Sequence, residues 1–241
     1  MGSMTPMRLG CLVVTQATLV ASAVAPLSTT GAQAPIRTLD EGTFLVSRGG
    51  APTGRESFRI SKAERGAAEA YRATAQVVIG DRRIVPTLTC DSLGAPLSYD
   101  VSVQGGTDPM ARLQARARPG RFSSMLRTRE GESTREYVVP SAVVVLDDDI
   151  VHQLYFLTIG GRRSGSVTVL APRTGIQAVA ALQSLGPSSV DIGGVSVVGT
   201  HLVLTAPGFA RREFWVDAGG RVLRASIPER GIIAQRDEPP R

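Results

Sequence analysis

Cysteine is almost absent from this chain, which holds only Cys11 and Cys90. With so few thiols, neither a disulfide-stapled scaffold nor a Cys-rich metal knuckle can be built. Histidine is as scarce, at His152 and His201, so few sites can seat a general base or a metal. Lys62 is the only lysine and asparagine does not occur, although arginine is abundant. Codon choice in a GC-rich genome explains that imbalance better than nucleic-acid binding does. The arginines are dispersed, and the densest group, Arg112 to Arg129, has a single aromatic, Phe122, to stack on a base. No nucleic-acid partner is expected. Aromatics make up 5% of the chain, too few for the interfacial girdles of an outer-membrane barrel. Beyond the N-terminus there is no apolar run long enough to span a bilayer as a helix.

The N-terminus reads differently. Arg8 precedes a charge-free, mostly apolar stretch from Leu9 to Pro26, and Ala32-Gln33-Ala34 supplies small residues at a cleavage position. Residues 1–34 are expected to be a secretory leader and residues 35–241 a single β domain with a frayed C-terminal tail. The cut could also fall after Ala32 or Ala23. The expected destination is the periplasm or cell envelope. Export would leave Cys90 alone, a small buried hydrophobe in a strand.

Period-two alternation dominates the remainder. Tyr71, Ala73, Ala75 and Val77 alternate with Arg72, Thr74 and Gln76, as do Leu97, Tyr99, Val101 and Val103 with polar neighbours. Ala111, Leu113, Ala115 and Ala117 alternate with arginine and glutamine. Such spacing gives strands with one dry face and one wet face, the habit of antiparallel sheets. Three segments share a strand–glycine reversal–strand form: Phe44 to Ile60, Leu88 to Val103, and Phe214 to Ile227. Helix is sparse. Ser61 to Ala70 could form a turn or two, and the acids Asp147 to Asp149 followed by Ile150, Leu154 and Leu157 predict a short helix near 149–157. That helix would separate a strand group at about 40–145 from another at about 165–235. The expected fold is mainly β, a strongly curved antiparallel sheet forming an incomplete barrel with one or two short covering helices.

Catalytic signatures are missing. No nucleophile elbow is present, and the paired glycines precede strands rather than phosphate-binding helices. His152 with Asp147 and Asp149 is the one cluster that could suggest a metal, but acids at a helix start need no ion. Neither catalytic residues, nor a metal, nor a cofactor is expected. Asp217 reads as a turn former.

The hairpin Phe214 to Arg224, the following Ile227-Pro228, the final Ile233-Ala234-x-Arg236, and an early G-T-F-x-V…G-x-E-x-F element from Gly42 to Phe58 resemble secreted bacterial proteins related to the LolA/LolB-like lipoprotein carriers. The resemblance implies an incomplete barrel with helices plugging its concave side, where the carriers hold acyl chains. It brings no catalytic residue. The chain is therefore expected to hold a hydrophobic ligand or a lipoprotein, with peripheral membrane contact, on inward residues such as Leu97, Tyr99, Val101, Leu113 and Trp215. The alternative is a structural or interaction module of the envelope with no small ligand.

Overall fold

The computed structural model describes residues 1–2, 36–63, 70–106, 110–140 and 143–241. The expected leader falls almost wholly outside them. Among the described residues fifteen strands form one sheet: β1 (Ile36–Arg48), β2 (Ala51–Ala63), β3 (Tyr71–Ile79), β4 (Arg82–Cys90), β5 (Pro96–Gln104), β6 (Met110–Arg118), β7 (Arg121–Arg127), β8 (Glu132–Val138), β9 (Val143–Val145), β10 (Gly165–Ala171), β11 (Ile176–Ile192), β12 (Val195–Thr205), β13 (Arg212–Val216), β14 (Val222–Ile227) and β15 (Ile232–Arg236). In space they run β8 through β1, then β15 through β9. All neighbours are antiparallel except β9 and β10. The first and last strands thus meet inside the sheet, with Phe44 opposite Arg236. Edges β8 and β9 do not pair, so the sheet is strongly curved but not closed.

Alternation explains the curvature. On β3, Tyr71, Ala73, Ala75 and Val77 are buried and the residues between them face outward. The same parity holds for Tyr99, Val101 and Val103 on β5 and for Phe214 and Val216 on β13. Fully burying each large apolar side chain contributes about 1.5–3 kcal/mol, so the sheet bends around its apolar face. The three predicted reversals are hairpins β1–β2, β4–β5 and β13–β14. In the last, Gly220 has φ 80°, and its N–H donates to the Asp217 carbonyl at 3.0 Å. The Asp217 carboxylate receives the Arg221 N–H at 2.9 Å, closing the turn as its sequence suggested.

The space inside the curve is occupied. After β9 the chain turns at Asp147–Asp149 and then descends through the interior. Leu146, Ile150, Leu154, Phe156 and Leu157 are all buried there. The expected helix near 149–157 is instead a 3-10 helix, His152–Leu157, and no α-helix occurs among the described residues. Its first turn holds no acid. The aspartates turn away to arginines, and Glu56 of β2 takes their place, accepting the Val151 and His152 N–H groups at 2.6 and 2.9 Å. A carboxylate from across the barrel thus satisfies the free amides at the helix start. Of the other expected helix, Ser61–Ala63 lies in β2 and residues 64–69 are outside the described residues.

Beneath this segment lies an aromatic column. Phe44 stacks on Phe58 at 5.0 Å, and Phe58 on His152 at 6.0 Å. The buried Arg236 guanidinium lies 5.5 and 5.1 Å from the two phenyl rings and pairs with buried Asp40. It also donates to the Val222 carbonyl at 2.5 Å.

Candidate functional site

Three neighbouring strands build the wall of an end cavity. Val101 on β5 lies opposite Leu113 on β6, and Leu113 opposite Leu126 on β7. With Val103 and Ala111 they form an apolar surface facing the Asp147–Asp149 turn. The space between is about 320 Å³. Arg82, Thr128, Arg173 and Thr174 supply its polar rim, with Asp148 and Asp149. An apolar wall with a few polar groups at one side, in this size range, is the composition of a small-ligand pocket.

Charge at this rim is closely matched. Asp147 is fully buried and accepts the Tyr99 hydroxyl at 2.6 Å, Arg173 Nε at 3.0 Å and the Arg173 N–H at 3.3 Å. Its own N–H donates to Gln153 Oε1 at 2.7 Å. Asp148 takes Arg212 at 2.7 Å and Arg230 at 3.1 Å. Asp149, held at φ 66°, pairs with Arg82 and lies 3.9 Å from Arg173. Burial pushes the Asp147 carboxyl above the usual carboxylate range, opposed by Arg173 and Tyr99. Burial and the neighbouring Asp147 carboxylate push the Tyr99 phenol well up. Burial also lowers Arg212, opposed by Asp148. This network pins the turn. A second, smaller void of about 50 Å³ lies on the turn's other side, and Asp149 borders both.

Of the sequence-predicted lining residues, Val101 and Leu113 meet at this cavity. Tyr99 is buried deeper, its hydroxyl taken by Asp147. Leu97 is half-buried at the far end of β5, beside the bulge between β4 and β5. Trp215 requires a correction, because it lies on the outer face. Phe214 and Val216 hold the inward positions, so parity sends Trp215 outward. There it stacks on His201 at 4.1 Å, lies beneath Arg224 and donates to Ser188 Oγ at 3.3 Å. It covers a small separate cluster of Val190, Ile192 and Leu223. The bulge at Ser184–Gly186 shifts the pairing register of β11 ahead of Val190 and Ile192, which join that cluster rather than the main core.

His152 does not meet the aspartates of its own segment. Its Nδ1 is 2.6 Å from Glu56, and its Nε2 is buried without a partner. His201 binds Glu213 at 3.1 Å on the outer face, where Arg211 also pairs with Glu213. Among the described residues no three His, Cys, Asp or Glu side chains gather as metal ligands. Cys90 is buried, and burial raises its thiol well above its ordinary value, together with Asp91.

Sequence reading missed Glu56, Asp40, Arg212 and Arg236 as interior groups. The signal was present: Glu56 shares the parity of Phe58 and Ile60, and Arg212 that of Phe214 and Val216.

No protein-family model matches this chain, and no curated protein does. Among solved structures there is a likeness in fold to a beta-barrel-like protein of a domain of unknown function, DUF1849, from Brucella abortus, with a TM-score of 0.51 and 11% identity over 85% of this chain and 96% of that one. The likeness supports a barrel-like fold and nothing finer.

Proposed function

We propose that this protein is an exported, non-catalytic binding protein of the bacterial envelope that holds a hydrophobic group in the end cavity walled by β5, β6 and β7. The carrying observation is the 320 Å³ space between Val101, Leu113 and Leu126 and the charged turn. The leader-like N-terminus and the hairpins that resemble lipoprotein carriers support the same reading. Each methylene moved from water into such a space contributes about 0.8 kcal/mol. About eight would supply ~6 kcal/mol before association costs, enough for a reversible cargo. The ligand would be an acyl or lipid-like chain, or the lipid of a lipoprotein, with the membrane touched only peripherally.

One observation favours a second reading. The middle of the interior is filled by residues 150–158, so the concave face is not hollow along its length. A structural or protein-interaction module of the envelope would need no cavity at all.

Displacement of a fluorescent fatty acid separates the two. The binding reading expects saturable displacement by a long-chain alcohol or acid at one site per chain, weakened at least tenfold by Leu113→Phe, which fills the space. Absence of saturable binding, in protein shown by circular dichroism to be folded, supports the module instead.

A further inference from the structure

At the opposite end of the barrel lies a larger cavity of about 590 Å³. Its apolar wall comes from Tyr71, Val143, Val144 and Ile159, and its cations are Lys62 and Arg162. Among the described residues no carboxylate lines it. The nearest acid in the adjoining loop, Asp91, is committed to that loop, accepting the Leu93 and Ala95 N–H groups at 2.9 Å each. Lys62 lies 4.9 Å from the Tyr71 ring centroid, and neither it nor Arg162 has a carboxylate partner among the described residues. Arg163, nearby, turns back to the Arg162 carbonyl at 3.0 Å.

The two ends therefore differ in kind. At the aspartate turn Arg82, Arg173, Arg212 and Arg230 are all matched by carboxylates. Here an apolar wall adjoins two cations that have no carboxylate partner among the described residues. We propose that this end is a second binding site, for a single-chain amphiphile with an anionic head. The head, a carboxylate or phosphate, sits between Lys62 and Arg162, and the chain lies against Tyr71, Val143, Val144 and Ile159. Charge-assisted hydrogen bonds give the head its selectivity, and the apolar wall holds the chain. The site is separate from the cavity of the proposed function and does not depend on it.

Calorimetric titration of the full chain with dodecanoate, dodecyl phosphate, 1-dodecanol and inorganic phosphate tests this, with hydrogen exchange to place the ligand. The expected result is at least tenfold tighter binding of the two anionic amphiphiles than of the alcohol. Raising salt should weaken it, and exchange should slow at Val143–Val145 and Ile159–Gly161. A stronger response to dodecyl phosphate or to dodecanoate identifies which head is preferred. The Lys62→Gln, Arg162→Gln double variant should abolish the preference. If that variant does not fold, Arg162→Gln alone should reduce it at least threefold. Equal affinity for acid and alcohol, a preference that survives the variants, or protection confined to Val101 and Leu113 overturns the proposal. In that last case the β5–β7 cavity of the proposed function still stands. Binding of inorganic phosphate as tightly as dodecyl phosphate would show that the apolar wall contributes nothing, and also overturns it.

Discussion

His152 Nδ1 lies 2.6 Å from a Glu56 carboxylate oxygen, and neither side chain reaches solvent. The same carboxylate receives the Val151 and His152 N–H groups, so one residue of β2 fastens the interior segment to the sheet. Removing it strands three donors in an apolar interior. Glu56→Ala should cost about 3–5 kcal/mol of stability, the range for breaking one side of a buried polar pair. Glu56→Gln keeps one acceptor and should cost less, about 1–3 kcal/mol. Urea unfolding midpoints measure both, and a change below about 0.5 kcal/mol for the alanine variant would mean that the segment is held by packing alone.

Arg236 joins Asp40, the Val222 carbonyl and two phenyl faces at one buried point. A flat guanidinium can meet all of these at once and an ammonium cannot. Arg236→Ala should therefore cost about 3–5 kcal/mol, and Arg236→Lys should recover only a minor part of it. Full recovery by lysine would reduce the site to simple charge pairing.

Asp40 and Asp147 both have carboxyls raised above their ordinary range by burial, opposed by Arg236 and by Arg173 with Tyr99 respectively. As pH rises, the unfolded chain releases these protons first. Between the unfolded and folded values the folded state binds more protons, so stability falls as pH rises through that window and recovers as pH is lowered through it. These two groups thus contribute a gain, not a loss, on mild acidification. Urea midpoints measured from neutral pH down to the ordinary carboxylate range should show that slope, and Asp40→Asn should flatten it. An unchanged slope in the variant would assign the effect to other groups.

Trp215 is the only tryptophan and lies on the outer face against His201. Filling the cavity between β5, β6 and β7 should leave its emission maximum unchanged. A blue shift on saturation with a fatty alcohol would place the ligand on the outer face instead.

Local parts of this fold were readable in the sequence because they depend on neighbours. Alternation at Tyr71 to Val77 and glycines in the β13–β14 turn act within a few residues, and both sit where they were expected. Long-range facts were not readable. Glu56 and His152 are 96 residues apart, and nothing local to either names the other. Alternation gives two faces without saying which is inward, so the expectation that Trp215 lines the cavity falls on the wrong face. Its same-face neighbour Glu213 was the available clue. Burial alternates without a break along β11, but the bulge at Ser184–Gly186 shifts its pairing register, so Ala180 and Leu182 join the main core while Val190 and Ile192, of the same sequence parity, join the outer cluster. The acids at Asp147–Asp149 have the composition of a helix start, but their partners Arg82, Arg173 and Arg212 lie far away in sequence.

The central claim concerns the space against Val101, Val103 and Leu113. Hydrogen exchange read by mass spectrometry, with and without a saturating long-chain alcohol, tests it most directly. The account predicts one ligand per chain and slowed exchange across β5 and β6, with the outer-face hairpin β11–β12 unaffected. Exchange unchanged along β5 and β6 at saturating ligand would contradict it.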